Sequence, residues 1–292
     1  RLAKWSDSMP VDSLLAMLAT PWCLGLIGLC IGSFLNVVIH RMPQMLERQW
    51  RADSSAMLEL PVKEEDPLTL AKPASRCPSC GHLIRWYENI PVLSWLFLRG
   101  KCSACKAPIG LRYPLVELST ALLFAATSWR FEGHPVALAW CVFVSILVAA
   151  SMIDWDTTLL PDDLTFPLLW AGLLAALLGW TIPLDEAVKG AMAGYLSLWS
   201  VYWLFKLTTG KEGMGYGDFK LLAALGAWLG WQMVLPIVLA SSVIGAVIGI
   251  LMKVSNSLRE DRYVPYGPFL GGAGLVVMLA GPQKVLEWLG WA

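Results

Sequence analysis

An aspartate among glycines is the first feature of this sequence that could do chemistry. Residues 213–220 read GMGYGDFK, so Asp218 lies beside three glycines at the start of a long apolar segment. Glycines allow positive φ and close backbone approach, which predicts a shaped loop rather than a helix interior. Because an ionisable group beside hydrocarbon is costly, Asp218 is a candidate functional residue. The alternative is a helix N-cap, since aspartate accepts hydrogen bonds from the first amides of a helix.

A second group of acids follows an earlier apolar run. Residues 153–163 read IDWDTTLLPDD. Asp154 comes directly after the run, at the expected end of a helix and nearest the membrane. Asp156 could be exposed to solvent, and Asp162 and Asp163 occupy positions typical of N-caps. These positions favour Asp154 and leave the other three acids as alternatives.

Two carboxylates held close together could hydrolyse a peptide bond. Because two such groups cannot both ionise, they share a proton. The ionised group takes a proton from water while the other donates to the carbonyl oxygen, which is the chemistry of an aspartic peptidase. The sequence has no HExxH motif and no nucleophile beside a histidine, which disfavours other hydrolytic mechanisms. We interpret the histidines as packing or interfacial residues: His40, His82 and His134.

Four of the seven cysteines form two CxxC pairs, Cys77 with Cys80 and Cys102 with Cys105. This spacing predicts a zinc ribbon in which each pair forms a knuckle and the metal stabilises a segment with almost no core. Four thiolates leave no open coordination position, so we expect a structural Zn²⁺ site. The alternative is two disulfides, which a reducing cytoplasm disfavours.

The composition predicts an integral membrane protein. The chain of 292 residues is 57% hydrophobic, and its mean hydropathy is +0.58, which is too apolar for a water-soluble domain of this length. Its formal net charge is zero, so bulk electrostatics gives no reason to expect nucleic acid binding.

Eight apolar segments predict an all-α polytopic membrane protein. The first is too long for a signal-peptide core and lacks a convincing cleavage site, so we interpret it as a spanning helix although Arg1 and Lys4 precede it. The sixth is short for a full span, which suits a helix that begins within the membrane behind a re-entrant loop. The predicted helices lie near residues 12–39, 113–130, 135–153, 164–182, 187–207, 219–231, 233–253 and 266–281.

The first predicted helix carries residues that should contact other helices. Gly28, Gly32 and Ser33 recur at a spacing that suits close helix packing. Asn36 needs a hydrogen-bond partner inside the bundle.

A long polar segment divides the chain into three units, 1–40, 41–112 and 113–292. Residues 41–112 hold 11 of the 22 lysines and arginines, which predicts a cytoplasmic location by the positive-inside rule. Between Glu47 and Ala74 we expect little structure, because no periodicity is visible.

Helix counting places the connections 154–163, 208–218 and 254–265 on the same side as the polar segment. The positive charges expected on that side are Lys206, Lys211, Lys220, Lys253, Arg259 and Arg262. The two acidic stretches should therefore face one another at one end of the bundle.

Further motifs are spread over nearly the whole chain. They are GSFLN at 32–36, HR at 40–41, the two CxxC pairs, ENIP at 88–91, RYPLVE at 112–117, the acidic stretch from Asp154 to Asp162, and GYGD at 215–218. In combination they resemble the bacterial type IV prepilin peptidases, which are GxGD aspartyl proteases. The GxGD motif alone is shared in outline with other intramembrane proteases.

The resemblance implies that Asp154 and Asp218 are the catalytic pair. It implies cleavage of a short basic leader just after a glycine, at the cytoplasmic face of the bacterial inner membrane. N-methylation of the new N-terminal residue follows, with S-adenosylmethionine as donor. The implied partners are type IV prepilins, type II secretion pseudopilins and the lipid bilayer, without nucleic acid. Gly100 and Lys101 resemble the family segment associated with methyl transfer.

Some interpretations remain open at this point. Lys220 either orients the charge of the pair or the substrate, or anchors the chain at the membrane edge. Glu117 either contacts substrate or is a buried, hydrogen-bonded acid. For the whole protein, the alternatives are a peptidase without methyltransferase activity, a non-catalytic membrane scaffold and a proton-coupled transporter. A transporter predicts charges near the helix centres and repeated halves, and the sequence shows neither.

Overall fold

The computed structural model describes residues 13–61, 66–255 and 264–291, which form helices and connecting loops. The α-helices in these ranges are α1 (Ser13–Leu18), α2 (Pro21–Met57), α3 (Leu93–Phe97), α4 (Arg112–Arg130), α5 (Val136–Thr157), α6 (Asp162–Leu177), α7 (Leu184–Thr209), α8 (Tyr216–Leu229), α9 (Val234–Val254), α10 (Gly267–Ala280) and α11 (Pro282–Leu289). Short 3₁₀ helices span Trp86–Asn89 and Trp231–Met233. Five positive charges used in the sequence analysis lie outside the described residues: Arg1, Lys4, Lys63, Arg259 and Arg262.

The described residues contain three helices that are long and apolar enough to cross a membrane: Pro21–Met57, Val136–Thr157 and Trp231–Val254. A fourth span results if α10 and α11, which are bent by 103° at their junction, are taken together. The prediction of an all-helical protein is therefore confirmed for the described residues, together with three or four candidate membrane spans. The number of eight spans stays a prediction.

The short helix α8 lies at the centre of the bundle, against α6, α7, α9 and α10. From Asp218 to Leu229 every residue except Lys220 is buried. Its 14 residues extend over only about 21 Å, less than the roughly 30 Å of a hydrocarbon core. Because other helices surround it, this helix can be short without exposing its backbone ends to lipid.

Glycines bring α2 and α4 into close contact, as predicted. A Cβ atom on Gly28 would lie 2.8 Å from Ala121 Cα, and one on Gly32 would lie 2.6 Å from Glu117 Cα. Both separations are shorter than van der Waals contact, so any larger side chain must push the helices apart.

We expect Gly32→Ala to destabilise the protein by about 1–3 kcal/mol, because the added methyl group overpacks the α2–α4 contact. Gly25→Ala, on the same helix, is the matched control, since a Cβ atom there would be 3.9 Å from its nearest neighbours. Thermal unfolding of both variants in one detergent measures the difference. Equal unfolding temperatures for the two variants would contradict the close contact.

The segment after the first apolar run is more ordered than predicted. The expectation of little structure from Glu47 onward is wrong up to Met57, because α2 continues to that residue. Residues 46–57 are rich in helix-forming side chains. Arg51 also forms an ion pair with Glu47 one turn earlier, at 2.5 Å. High helix propensity and this ion pair therefore explain why residues 46–57 are helical although they lack a periodic apolar face.

The described ends of the connections that were predicted to share one side lie near one another at one end of the bundle. Arg112 Nη2 at the start of α4 lies 2.5 Å from Asp156 Oδ2 at the end of α5. Leu160, in the α5–α6 connection, touches the starts of two further helices. A Cβ atom would lie 2.6 Å from Leu160 Cβ if built on Gly217, and 3.2 Å from Leu160 Cδ1 if built on Gly267.

Candidate active site

Asp154 lies in the last turn of α5 and is only 5% exposed. The backbone amide of Gly267, the first residue of α10, donates a hydrogen bond to Asp154 Oδ2 at 2.8 Å. The helix ends three residues later at Thr157, and Thr158 adopts a left-handed conformation with φ of 56°. The carboxylate is therefore held inside the protein at the end of a helix, where the chain turns towards α6.

Asp218 is the third residue of α8 and is 8% exposed. The helix begins at Tyr216, its N-cap is Gly215, and no side chain caps it. The interpretation of Asp218 as an N-cap is therefore wrong. The same applies to Asp162, which is the first residue of α6 and follows the N-cap Pro161.

The structure brings Asp154 and Asp218 together. The two carboxyl groups interact electrostatically. Leu160 packs against two glycines, one beside each acid. Gly217 precedes Asp218 in the sequence, and Gly267 is the residue whose amide binds Asp154. The geometry thus agrees with the predicted pair, whose catalytic role stays a prediction.

The alternative acids of the 153–163 stretch are in different surroundings. Asp156 is half-buried and pairs with Arg112, whereas Asp162 and Asp163 are exposed. Asp162 Oδ1 accepts a hydrogen bond from Lys220 Nζ at 2.6 Å, so Lys220 links α8 to α6. Among the four acids, Asp154 alone is buried, which favours it over the others.

The four cysteine sulfurs form one cluster. The Sγ atoms of Cys77, Cys80, Cys102 and Cys105 all lie within 4.8 Å of one another, and the cluster could hold a metal ion. Cys77 Sγ and Cys105 Sγ are 3.8 Å apart. A disulfide needs a separation of about 2.05 Å, and these cysteines are free, so the disulfide alternative is disfavoured.

The two knuckles have the same backbone hydrogen bonds. Cys77 N donates to His82 O at 2.9 Å, and Cys102 N donates to Ala107 O at 2.8 Å, five residues on in each case. Within the first knuckle, amides of Ser79 and Cys80 lower the pKa of Cys77 to about 6. Those of Cys105 and Ala104 lower the pKa of Cys102 in the same way. Each turn therefore stabilises the thiolate form of its first cysteine, which is the form that a metal requires.

Glu117 connects the cysteine segment to the helix bundle. It is 8% exposed, and its Oε2 accepts a hydrogen bond from Val92 N at 2.7 Å. Ser33 on α2 also contributes a hydrogen bond to this carboxylate. Of the two interpretations, a buried, hydrogen-bonded acid is confirmed, and contact with substrate stays a prediction.

A cavity of about 640 Å³ lies between the two knuckles and α3. Its lining residues are His82, Arg85, Tyr87, Glu88, Ile90, Leu93, Ser94, Phe97, Leu98, Ser103 and Ala104. Hydrogen bonds from the Ser103 hydroxyl and the Arg85 amide hold the pKa of Glu88 at about 2, so this wall of the cavity is anionic at neutral pH.

Gly100 and Lys101 are not among the residues that line this cavity. Gly100 has a positive φ of 66°, and a Cβ atom on it would lie 2.8 Å from Trp95 Cζ2. It therefore shapes the turn that leads into the second knuckle, while Lys101 is exposed beside it. Their predicted link to methyl transfer stays a prediction.

Residues of three further motifs meet in a cleft of about 360 Å³ at the same end of the bundle, between α2, the start of α4 and the end of α5. Asn36 and His40 line it from α2, and Arg112, Tyr113 and Asp156 line it from α4 and α5. Asn36 Nδ2 donates to Tyr113 O at 3.1 Å, so Asn36 has a hydrogen-bond partner on a neighbouring helix, as the sequence analysis required.

Sequence reasoning missed Gly267 as a part of the site. Its signal is the run VPYGPF at 264–269, in which prolines and a glycine interrupt the apolar pattern at the start of the last predicted helix. Gly267 makes this contact through its backbone amide and has no side chain. A search of the sequence for reactive or charged side chains therefore could not find it.

Two family models match the chain. Residues 26–131 match the bacterial peptidase A24 N-terminal domain, and residues 141–250 match the type IV leader peptidase family. The second match includes both Asp154 and Asp218. The chain belongs to the type IV leader peptidase family. The family indicated by the motifs is thus confirmed.

Curated relatives support this membership over nearly the full length. A protein of Stutzerimonas stutzeri named prepilin leader peptidase/N-methyltransferase is 52% identical over 276 residues, covering 94% of this chain and 96% of the relative. Proteins of the same name from Pseudomonas aeruginosa and Aeromonas hydrophila are 51% and 53% identical, covering 97% and 90% of this chain and 99% and 91% of their own lengths. No solved structure matches the chain.

Proposed function

We propose that this protein removes the leader peptide from type IV prepilins and then methylates the new N-terminal amine. Its family and its relatives, which are named for both activities, make it a peptidase and a methyltransferase. The observation that carries the mechanism is the meeting of two buried acids, Asp154 and Asp218, at one end of the bundle.

In the proposed mechanism the two acids share one proton. The ionised carboxylate takes a proton from water as the water oxygen bonds to the carbonyl carbon of the scissile peptide. The protonated acid donates to the carbonyl oxygen, which gives a tetrahedral intermediate. When the carbon–nitrogen bond breaks, the acid that took the water proton passes it to the departing amine. The other acid takes a hydroxyl proton from the intermediate, so the leader leaves as a carboxylic acid and the pair again shares one proton. Burial in the bundle strengthens these interactions because water does not screen them.

We place this end of the bundle on the cytoplasmic side of the bacterial inner membrane, because the positive charges cluster there. The three units 1–40, 41–112 and 113–292 then act as a first membrane helix, a cytoplasmic insertion and a peptidase core. Large apolar side chains are exposed along α9, as a surface in contact with the lipid bilayer requires: Leu235, Leu239, Val243, Val247 and Leu251. The apolar helix of a prepilin, or of a type II secretion pseudopilin, would lie in the same bilayer.

The cysteine cluster fits a structural zinc ion. Four thiolates at the Zn–S distance of about 2.3 Å form a tetrahedron with edges of about 3.8 Å. The separation of Cys77 Sγ and Cys105 Sγ is 3.8 Å. The full donor set would be Cys77, Cys80, Cys102 and Cys105, which leaves no position for a catalytic water.

The cavity between the knuckles fits S-adenosylmethionine, which supplies an electrophilic methyl group when it is bound. Its volume of about 640 Å³ is within the range of small-molecule sites. The anionic Glu88 suits the donor's hydroxyl groups and positive sulfonium, and Arg85 suits its carboxylate. Tyr87 and Phe97 offer aromatic surfaces for a purine or a cation.

A single reaction series tests the proposal. The purified protein is incubated with a prepilin that carries its leader, with and without isotope-labelled S-adenosylmethionine, and the products are analysed by mass spectrometry. We expect loss of the leader and one labelled methyl group on the new N-terminus. Cleavage without labelling would leave the peptidase-only alternative, and an intact prepilin would contradict the proposed function.

A further inference from the structure

The start of α10 touches the candidate catalytic acid directly. Gly267 N donates to Asp154 Oδ2 at 2.8 Å in a buried hydrogen bond. A Cβ atom on Gly267 would lie 2.7 Å from the same oxygen and 3.1 Å from Asp154 Cγ. Only a residue without a side chain therefore allows the amide to approach the carboxylate this closely.

The residue before this glycine is fixed to α9. The Tyr266 hydroxyl forms hydrogen bonds of 2.7 Å with Ser241 Oγ and 3.0 Å with Ser242 Oγ. It also lies 3.4 Å from Val238 O. Ser241 is fully buried, so its bond to Tyr266 lies between the two helices, whereas Ser242 is exposed.

The face of α9 that receives this turn carries small residues. A Cβ atom on Gly245 would lie 3.0 Å from Phe269 Cδ2, and one on Gly249 would lie 3.5 Å from Val264 Cγ2. Together with Ser241, these residues recur every fourth position and let residues 264–269 approach α9 closely.

We propose that Tyr266 and Gly267 position Asp154 for the peptidase reaction. The amide of Gly267 fixes the rotation of the Asp154 carboxyl group, and the Tyr266 hydroxyl fixes that amide by its bonds to α9. This inference rests on the proposed catalytic role of Asp154. A carboxylate that must transfer a proton within a narrow geometry loses rate when it is misplaced by about 1 Å. Residues 264–267, here called the α9–α10 corner, thus join the α5–α6 and α7–α8 connections as a third part of the proposed active site.

The first test compares two glycine-to-alanine variants of α10. In Gly267→Ala the new methyl group displaces the carboxyl group, and we expect kcat for leader removal to fall by about 10²-fold while KM stays close to the wild-type value. Gly272→Ala is the matched control, because a Cβ atom there meets nothing within 4 Å. Methyl transfer to an already cleaved pilin reports on folding. Wild-type kcat in Gly267→Ala, or an equal loss in Gly272→Ala, would overturn the proposal.

The second test avoids any steric clash. Tyr266→Phe keeps the ring and removes the hydroxyl, and Ser241→Ala removes its partner. We expect each to lower kcat by about 2- to 10-fold, the effect of one hydrogen bond, without a change in KM. The double variant should lose no more than Tyr266→Phe alone, because Ser241 acts through the Tyr266 hydroxyl, which also bonds to Ser242. Additive losses, or losses confined to thermal stability and KM, would indicate a structural role alone and overturn the proposal.

The outcomes separate this inference from the proposed function. If the wild-type protein does not remove the leader, the proposed function fails. If the wild type and Gly267→Ala cleave equally, while Asp154→Asn does not cleave, only the positioning role of the α9–α10 corner fails.

Discussion

Asp154→Asn and Asp218→Asn are each expected to lower leader removal by about 10³-fold or more, because a carboxamide can neither take up nor release the proton that the pair must transfer. Both substitutions preserve the size of a buried side chain, so the bundle should remain folded. Methyl transfer to an already cleaved pilin should persist, since the cavity between the knuckles does not include either acid. Initial rates of leader release and of label transfer, measured on the same preparations, give the change in each activity relative to the wild type.

The control for these variants is Asp163→Asn. Asp163 belongs to the same acidic stretch and is exposed in the first turn of α6, so we expect a rate near that of the wild type. Asp156→Asn removes the pair with Arg112 and should have an intermediate effect. A wild-type rate in Asp154→Asn would mean that the assignment within the 153–163 stretch is wrong. Normal cleavage by both Asp154→Asn and Asp218→Asn would remove the aspartyl mechanism.

Cys102→Ser is expected to release the metal ion and unfold the cysteine segment. Cys102 is the buried member of the cluster, and the segment around it has few buried apolar side chains. Structural zinc contributes on the order of 10 kcal/mol to the folding of such segments. We expect one zinc per chain in the wild type and less than about 0.1 zinc per chain in the variant, together with rapid proteolysis of the variant within 66–111. Methyl transfer should also be lost, because both knuckles form walls of the cavity.

Cys30→Ser provides the comparison, since Cys30 is exposed on α2 and lies outside the cluster. It should retain zinc and both activities. Leader removal should fall less than methyl transfer in Cys102→Ser, because the acids are held by α5, α8 and α10 rather than by the knuckles. A wild-type protein without zinc, or one in which the four thiols are oxidised, would contradict the ribbon.

Short-range patterns explain which parts of the site could be predicted. The CxxC pairs depend on turns of a few residues, and the glycines at 28 and 32 lie one helical turn apart. Both signals are complete within a short stretch of chain, so the knuckles and the close packing of α2 could be anticipated, although not that α4 is its partner. Helix counting needs only the order of the apolar segments, and it predicted that the two acidic stretches lie at the same end of the bundle. By contrast, the helical extension to Met57 was missed because it has no apolar periodicity.

The sequence by itself determined the membrane class, the cysteine cluster and the two acidic stretches, because each depends on residue type and spacing along the chain. Only the tertiary structure decided which acid of 153–163 is buried beside Asp218, and that Lys220 pairs with Asp162. It alone revealed the contact of Gly267 with Asp154, which joins residues 113 positions apart through a backbone amide. A backbone amide is present at almost every position, so only folding can select the one that meets the carboxylate.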